Sequence, residues 1–178
     1  MRVSEEVTRV LVLGGCRSGK SKYSEQWARE GFDRKVLIAT LDIGTDEEMR
    51  RRVQLHRQSR GAGWVTVEQP VDVAGAVMAH QQDTDVILID CLTLWITNLM
   101  LQNMSDEEIE HEVEQLVTVV GSSQSSVVLV ANEVGLGIVP ESAMGRRFRD
   151  LAGWTNQQFG AMCDQVVFMA AGIPQFLK

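Results

Sequence analysis

The chain of 178 residues carries a formal net charge of −7, with 44% hydrophobic and 23% charged residues. These values are typical of one globular domain (1–178), and the acidic balance argues against a general nucleic-acid binder. No apolar run is long enough to span a bilayer, and the polar first nine residues lack the apolar core of a signal peptide. The three widely spaced cysteines form neither a disulfide framework nor a zinc motif, so we expect a reducing, cytoplasmic compartment.

The first motif in the chain fits the phosphate-binding pattern G-x-x-x-x-G-K-[ST] and consists of Gly14, Gly15, Cys16, Arg17, Ser18, Gly19, Lys20 and Ser21. The apolar run 10–13 predicts a buried strand before the motif, and residues 18–30 predict a helix after it. The glycines allow backbone N–H groups to surround phosphate, and the helix N-terminus adds partial positive charge. Lys20 is predicted to reach the β- and γ-phosphates and Ser21 to ligate Mg²⁺. The alternative, a glycine-rich turn with an incidental lysine, does not explain the flanking strand and helix.

A second buried strand is predicted over 35–40, and its end should lie at the same sheet edge as the P-loop if the strands are parallel. Residues 45–48 form a capping box that predicts a helix to about residue 60. Along this helix Met49, Val53 and His56 share one face. Five arginines surround that face: Arg50, Arg51, Arg52, Arg57 and Arg60. From the residues alone, the basic helix is equally explained as a solvated surface, and His56 is better explained as a packed, hydrogen-bonded histidine.

Residues 64–68 alternate as a short strand, and because Pro70 follows, the strand ends there or lies at the sheet edge. At the edge we expect it to run antiparallel. A helix is predicted over 71–82. The apolar strand 85–91 ends in Asp90, an arrangement that holds Mg²⁺ in P-loop proteins. A carboxylate in this position could instead cap the next helix.

Residues 92–102 are apolar nearly all round, which predicts burial in the core or at a subunit contact. A second capping box at 105–108 predicts an acidic helix to about residue 120. The remaining predicted elements are a buried strand (126–131), a binding loop (132–140), a helical segment (141–163), a last strand (165–171) and a terminating turn (172–174). The alternation of strands and helices predicts an α/β fold with a mostly parallel sheet and helices on both faces.

Together these segments resemble the bifunctional adenosylcobinamide kinase / adenosylcobinamide-phosphate guanylyltransferase enzymes of cobalamin (vitamin B12) biosynthesis. The resemblance runs from about residue 9 to 178 and rests on GGCRSGKS (14–21), IAT (38–40), DEEM (46–49), HRQSR (56–60), LIDCLTLWITNL (88–99), NEVGLGIVPE (132–141) and RRFRDLAGWTNQ (146–157). The P-loop is shared by many families, whereas NEVGLGIVPE and DCLTLW are far more specific. Position 16 is Cys where Ala is common, and position 90 is Asp where some members carry Glu.

The resemblance implies a RecA-like P-loop NTPase domain that assembles as a homotrimer. It implies phosphorylation of adenosylcobinamide by ATP or GTP, and then transfer of GMP from GTP to adenosylcobinamide phosphate. His56 would hold GMP between the two halves of that transfer. The implied GTP contacts are the P-loop (14–21), Ala39, Thr40, Leu41, Arg57, Gln58, Ser59, Arg60, Glu68 and Asp90, with Ser21 and Asp90 also serving Mg²⁺. With this family in view, the reactive role of His56 is favoured over simple packing.

Two other functions fit parts of the sequence. A small-molecule kinase without nucleotidyl transfer would need the P-loop and Asp90 but not His56. A GTP-binding regulatory switch would need a guanine-recognition motif N-K-x-D, and the corresponding strand end reads NEVG (132–135) instead.

Overall fold

The computed structural model describes residues 6–41 and 63–178 of the chain. Its strands are β1 (Arg9–Gly14), β2 (Lys35–Ala39), β3 (Trp64–Glu68), β4 (Val86–Asp90), β5 (Ser126–Asn132), β6 (Gln165–Ala170) and β7 (Ile173–Phe176). Its helices are α1 (Lys20–Gly31), α2 (Val73–His80), α3 (Leu92–Leu101), α4 (Asp106–Gly121) and α5 (Ala143–Met162). The helix predicted over 45–60 lies outside the described residues.

The described strands form a seven-stranded sheet in the order β3-β2-β4-β5-β1-β6-β7. Every neighbouring pair from β3 to β6 is parallel, and only β7 runs antiparallel to its neighbour β6. The mostly parallel sheet predicted from the alternating pattern is therefore confirmed. The sheet order also places β5 between the strand that precedes the P-loop and the strand that ends in Asp90.

Helices cover both faces of the sheet, as predicted. Along β1, Leu11 points to one face while Val10 and Val12 point to the other, as the two-residue repeat of a strand requires. The face with Leu11 packs against α2, α3, α4 and α5, where Trp95 is among the fully buried side chains. The face with Val10 packs against α1 through the buried Ala28. These two layers explain why the strands are apolar on both sides.

Helix α4 begins where the sequence predicts. Ser105 accepts a hydrogen bond from the backbone N–H of Glu108, and the Glu108 carboxylate accepts one from the backbone N–H of Ser105. This reciprocal pair is a complete capping box, and it satisfies two backbone donors that the first turn would otherwise leave without partners.

Two expectations about the sheet are wrong. Strand β3 lies at the edge but pairs in parallel with β2, with Glu68 opposite Ala39. The chain between the two strands is long enough for the crossover that a parallel pair requires. The turn at 172–174 does not end the fold, because β7 follows it and pairs with β6. Pro174 is tolerated there because β7 is an edge strand.

Candidate nucleotide-binding site

The predicted site residues meet at the carboxyl edge of the sheet. In the parallel register Glu68 lies opposite Ala39, and Ala39 lies opposite Asp90. Gly14, the last residue of β1, lies between Asn132 of β5 and Met169 of β6. Since ligands of open α/β sheets bind outside the carboxyl ends of the strands, this edge is the candidate site.

Close packing of the P-loop backbone requires glycine at two positions. Gly14 has φ +150°, and a Cβ there would lie 2.5 Å from the carbonyl oxygen of Met169. Gly19 has φ +101°, and its Cβ would lie 3.2 Å from Cα of Gly172. Both positions therefore need a residue without a side chain, for backbone conformation as well as for space. The predicted helix after the loop begins at Lys20 and not at residue 18.

Lys20 lies inside the loop. Its Nζ donates a hydrogen bond of 2.7 Å to the carbonyl oxygen of Gly15, and the residue is only 7% exposed. Burial lowers the pKa of Lys20 from its ordinary value, and the nearby Asp90 carboxylate acts in the opposite direction. The ammonium group is thus held among the loop's backbone groups, where a phosphate could replace the Gly15 carbonyl as its partner.

Ser21 and Asp90, the predicted metal ligands, are both partly buried. Ser21 lies in the first turn of α1, and Asp90 ends β4, two strands along the sheet from β1, at whose end the P-loop begins. Among the described residues no group of three or more His, Cys, Asp or Glu side chains could hold a metal ion. A hydroxyl and a single carboxylate suit Mg²⁺, because that ion keeps several waters and takes further oxygens from substrate phosphates.

Thr40, which the resemblance implies as a nucleotide contact, is buried and hydrogen-bonded to protein groups. Its hydroxyl donates to the carbonyl oxygen of Cys91 and accepts from the N–H of Cys91, both at 2.8 Å, and the residue is 0% exposed. Its backbone N–H donates to the backbone carbonyl oxygen of Asp90, and its carbonyl oxygen accepts from the side-chain amide of Asn98. Because all of its polar groups have protein partners, Thr40 joins β2 to β4 directly beside Asp90.

Sequence reasoning missed two polar residues of α3 that serve this edge. The hydroxyl of Thr93 accepts a hydrogen bond of 2.7 Å from the N–H of Asn132. The Asn98 amide donates to the carbonyl oxygens of Thr40 and Pro70 at 2.7 and 2.9 Å. Both residues are polar positions within the mostly apolar segment 92–102, and polar residues in such a segment were the available signal.

The other predicted contacts are placed as follows. Gly15, Cys16 and Arg17 are exposed at the P-loop, and Glu68 is exposed at the end of β3. Ala39 and Leu41 are half-buried, while Ser18 is buried. His56, Arg57, Gln58, Ser59 and Arg60 lie outside the described residues.

The loop 133–142 leaves the sheet edge beside the P-loop. The N–H of Glu133 donates to the carbonyl oxygen of Gly14 at 3.1 Å, and its carboxylate accepts from the N–H of Gly135 at 2.6 Å. Further along, Leu136 and Ile138 are 82% and 96% exposed. The predicted binding loop is therefore anchored at its start and apolar at its tip.

A glycine-rich loop between β1 and α1, with its lysine near a carboxylate two strands away, defines a P-loop nucleotide-binding protein of RecA-like fold. The RadB recombinase superposes with a TM-score of 0.51 at 10% identity, over 90% of this chain and 73% of that one. The EscN ATPase of the enteropathogenic Escherichia coli type III secretion system gives 0.57 at 14% identity, over 93% and 43%. At such identities the likeness shows the fold alone.

No helix in the described part of the chain is long and apolar enough to cross a membrane.

The sequence profile of the cobinamide kinase / cobinamide phosphate guanyltransferase family matches residues 10–177, and the chain belongs to this family. The bifunctional adenosylcobalamin biosynthesis protein CobP of Pseudomonas aeruginosa is 41% identical over 170 residues, covering 96% of this chain and 97% of that protein. The protein CobU of Escherichia coli K12, described by the same words, is 39% identical over 182 residues, covering 95% and 99%. The resemblance predicted from the motifs is confirmed, and the chain is a bifunctional kinase and guanylyltransferase of cobalamin biosynthesis.

Proposed function

We propose that this enzyme phosphorylates the aminopropanol hydroxyl of adenosylcobinamide with ATP or GTP. It then transfers GMP from GTP to the resulting phosphate, releasing pyrophosphate and giving adenosylcobinamide-GDP. The observation that carries the proposal is membership of the family over nearly the whole chain, together with a P-loop built at the carboxyl edge of the sheet. Both reactions begin from a bound nucleoside triphosphate, so one P-loop serves both.

Phosphate binding follows from the geometry of the loop. Backbone N–H groups at the start of α1 and the partial positive charge of the helix N-terminus favour an anion there. Lys20 exchanges its hydrogen bond with the Gly15 carbonyl for one with the β- or γ-phosphate. We assign nucleotide contacts to Ala39, Leu41 and Glu68, and further contacts to Arg57, Gln58, Ser59 and Arg60. Thr40 acts indirectly on nucleotide binding, because its hydroxyl holds the backbone of Cys91 next to Asp90.

Mg²⁺ fits the residues at this edge. Ser21 and Asp90 would hold it, directly or through water, and the ion would neutralise charge on the triphosphate oxygens. The role of the chain's own residues is to keep Asp90 in place beside the P-loop. The Thr40 hydroxyl serves that purpose by donating to the carbonyl oxygen of Cys91 and accepting from its N–H.

We propose His56 as the nucleophile of the second reaction. One of its ring nitrogens attacks the α-phosphorus of GTP, and the bond from that phosphorus to the bridging oxygen breaks to release pyrophosphate. The GMP–histidine bond then breaks when an oxygen of adenosylcobinamide phosphate attacks the same phosphorus, which restores the histidine. The arginines close to His56 in the sequence would neutralise the phosphates and disfavour the imidazolium form of the histidine.

The test of the whole assignment is incubation with GTP, Mg²⁺ and adenosylcobinamide, followed by chromatography for adenosylcobinamide-GDP. Lys20→Ala should form neither product, and failure of the wild-type protein to form either would overturn the proposal.

The test of the intermediate uses GTP labelled at the α-phosphate, which should label the protein through a bond cleaved by acid and stable to base. His56→Ala should lose the label and guanylyl transfer yet keep the kinase reaction. His80→Ala and His111→Ala are matched controls that should label normally; His111 is exposed on α4. Full labelling of His56→Ala would contradict the mechanism.

We also propose a cytoplasmic homotrimer, on the strength of the family resemblance. Helix α3 is not an argument for it, because Leu92, Trp95, Ile96 and Leu99 are buried within a single chain. Light scattering at micromolar concentration would contradict the trimer if it found a monomer.

A further inference from the structure

The last two strands form a hairpin whose turn reaches the P-loop. Strand β6 pairs with β1, and its Met169 lies opposite Gly14, the residue at which the P-loop begins. The chain then reverses through Ala171 and Gly172, which have φ of 51° and 81°. Two consecutive residues of positive φ are typical of the tight type I′ turn between antiparallel strands. We call Ala171–Gly172 the hairpin turn.

The hairpin turn is in contact with the P-loop backbone. The N–H of Gly172 donates a hydrogen bond of 2.9 Å to the carbonyl oxygen of Ser18. At Gly19, a Cβ would lie 3.2 Å from Cα of Gly172 and 3.6 Å from Cε of Met169. The two motif glycines with positive φ, Gly14 and Gly19, therefore both pack against β6 and its turn, one at each end of the loop.

The hydrogen bond to Ser18 has a consequence for phosphate binding. The carbonyl oxygen of Ser18 and the N–H of Gly19 belong to one planar trans peptide unit, so they point in nearly opposite directions. Because the Ser18 carbonyl faces the N–H of Gly172, the N–H of Gly19 faces away from the hairpin turn. A P-loop binds phosphate through backbone N–H groups that converge on it, so the orientation of this peptide matters for binding.

We propose that the hairpin turn positions the P-loop for the nucleotide, with Gly172 as a positioning residue that fixes the Ser18–Gly19 peptide. This inference rests on the proposed use of the loop for GTP and ATP.

The open end of the hairpin is held by separate contacts, since Leu177 donates its N–H to the carbonyl oxygen of Val166 at 2.8 Å. Lys178 also donates to the carbonyl oxygen of Cys163 at 2.7 Å. The turn is thus presented to the P-loop by a hairpin that is anchored independently of it.

The experiment removes one backbone donor from the full-length protein. Cys163 allows a recombinant segment 1–162 to be ligated to a synthetic segment 163–178 before refolding. In one protein glycolic acid replaces Gly172, so that an ester oxygen takes the place of the N–H. In the control protein leucic acid replaces Leu177, which deletes a hydrogen bond of the same kind far from the P-loop. A ligated protein with all amides intact is the reference.

The readouts are the dissociation constant of a fluorescent GTP analogue, the KM and kcat of the kinase reaction, and the melting temperature. Both esters should lower the melting temperature, since each removes one backbone hydrogen bond. The ester at Gly172 alone should weaken GTP binding and raise KM about five- to tenfold, the order expected for one hydrogen bond. Equal affinities in the two esters would overturn the inference, while absence of GTP binding in the all-amide protein would instead overturn the proposed function.

A recombinant variant covers the case in which an ester protein does not refold. Gly172→Ala introduces a Cβ into open space, so the change acts through the positive φ and not through a clash. Its KM for nucleotide should rise severalfold. Gly153→Ala, in α5 and also with open space around the new Cβ, is the matched control and should keep the wild-type KM. A wild-type KM in Gly172→Ala would count against the positioning role.

Discussion

Replacing Thr40 by valine tests whether this residue joins two strands or contacts the nucleotide. Valine has nearly the shape of threonine but carries a methyl group in place of the hydroxyl. The change leaves the N–H of Cys91 without the partner that it has at 2.8 Å, whereas the Cys91 carbonyl loses one bond of 2.8 Å and keeps that from the N–H of Trp95. Because the site is fully buried, water cannot take the place of the lost hydroxyl without rearrangement.

The magnitude follows from these two groups. A buried N–H left without a partner costs roughly 1–3 kcal/mol, and a carbonyl that loses one of two hydrogen bonds about 0.5–1.5 kcal/mol, so the free energy of unfolding should fall by about 2–4 kcal/mol. For a chain of this size, each kcal/mol changes the melting temperature by roughly 2–4 °C, which predicts a fall of about 6–12 °C for the middle of that range. Thr40→Ser keeps the hydroxyl and loses one buried methyl group, worth about 1 kcal/mol.

Urea and thermal unfolding of wild type, Thr40→Ser and Thr40→Val should therefore rank the three proteins in that order of stability. The Mg²⁺ concentration for half-maximal turnover should rise in Thr40→Val. The lost hydroxyl holds the N–H of Cys91, and Cys91 directly follows the proposed metal ligand Asp90. A Thr40→Val protein with wild-type stability and a raised KM for GTP would refute the reasoning and restore Thr40 as a direct contact.

Three further predictions concern single side chains. Burial raises the pKa of Cys91 to about 11 and that of Cys163 to about 12, so a thiol reagent at pH 8 should modify the exposed Cys16 and spare the other two. GTP should slow that modification, as mass spectrometry of the folded protein would show. Ser105→Ala removes the N-cap of α4 and should lower the free energy of unfolding in urea by about 1 kcal/mol. Asp90→Asn should lower Mg²⁺-dependent turnover roughly tenfold, or about 1.4 kcal/mol in the barrier. A loss of stability without a loss of turnover per folded molecule would mean that Asp90 only caps α3.

Local patterns were enough to predict most of the fold. The apolar runs that end in Gly14 and Asp90 are buried strands, because neither face of a parallel sheet covered by helices can hold polar side chains. The start of α4 followed from a short-range capping pattern. Once these strands are known to be parallel, the meeting of Gly14, Ala39 and Asp90 at one edge follows from the direction of the chain.

Pairing partners were harder to predict, because they depend on residues far apart in the sequence. Strand β3 has the same alternating pattern whether it runs parallel or antiparallel, and its direction is known only from its observed pairing with β2. Strand β7 is exposed along its whole length, so it lacks the apolar alternation by which strands are recognised. Its pairing is held instead by backbone hydrogen bonds and by the Lys178 side chain.

The environment of Thr40 shows that a polar residue at a ligand-binding edge can have a structural task. Where parallel strands end, their last peptide groups no longer have the regular partners of the ladder, and each buried group must find another. Thr40, Thr93 and Asn98 supply those partners with short side chains that reach the neighbouring backbone. Lys20 and Asp90 differ from them in carrying a charge, and a charge is what triphosphate and Mg²⁺ require. At this edge, therefore, the charged Lys20 and Asp90 are proposed to act on the triphosphate and its metal ion, whereas these three uncharged side chains hold the strand ends in place.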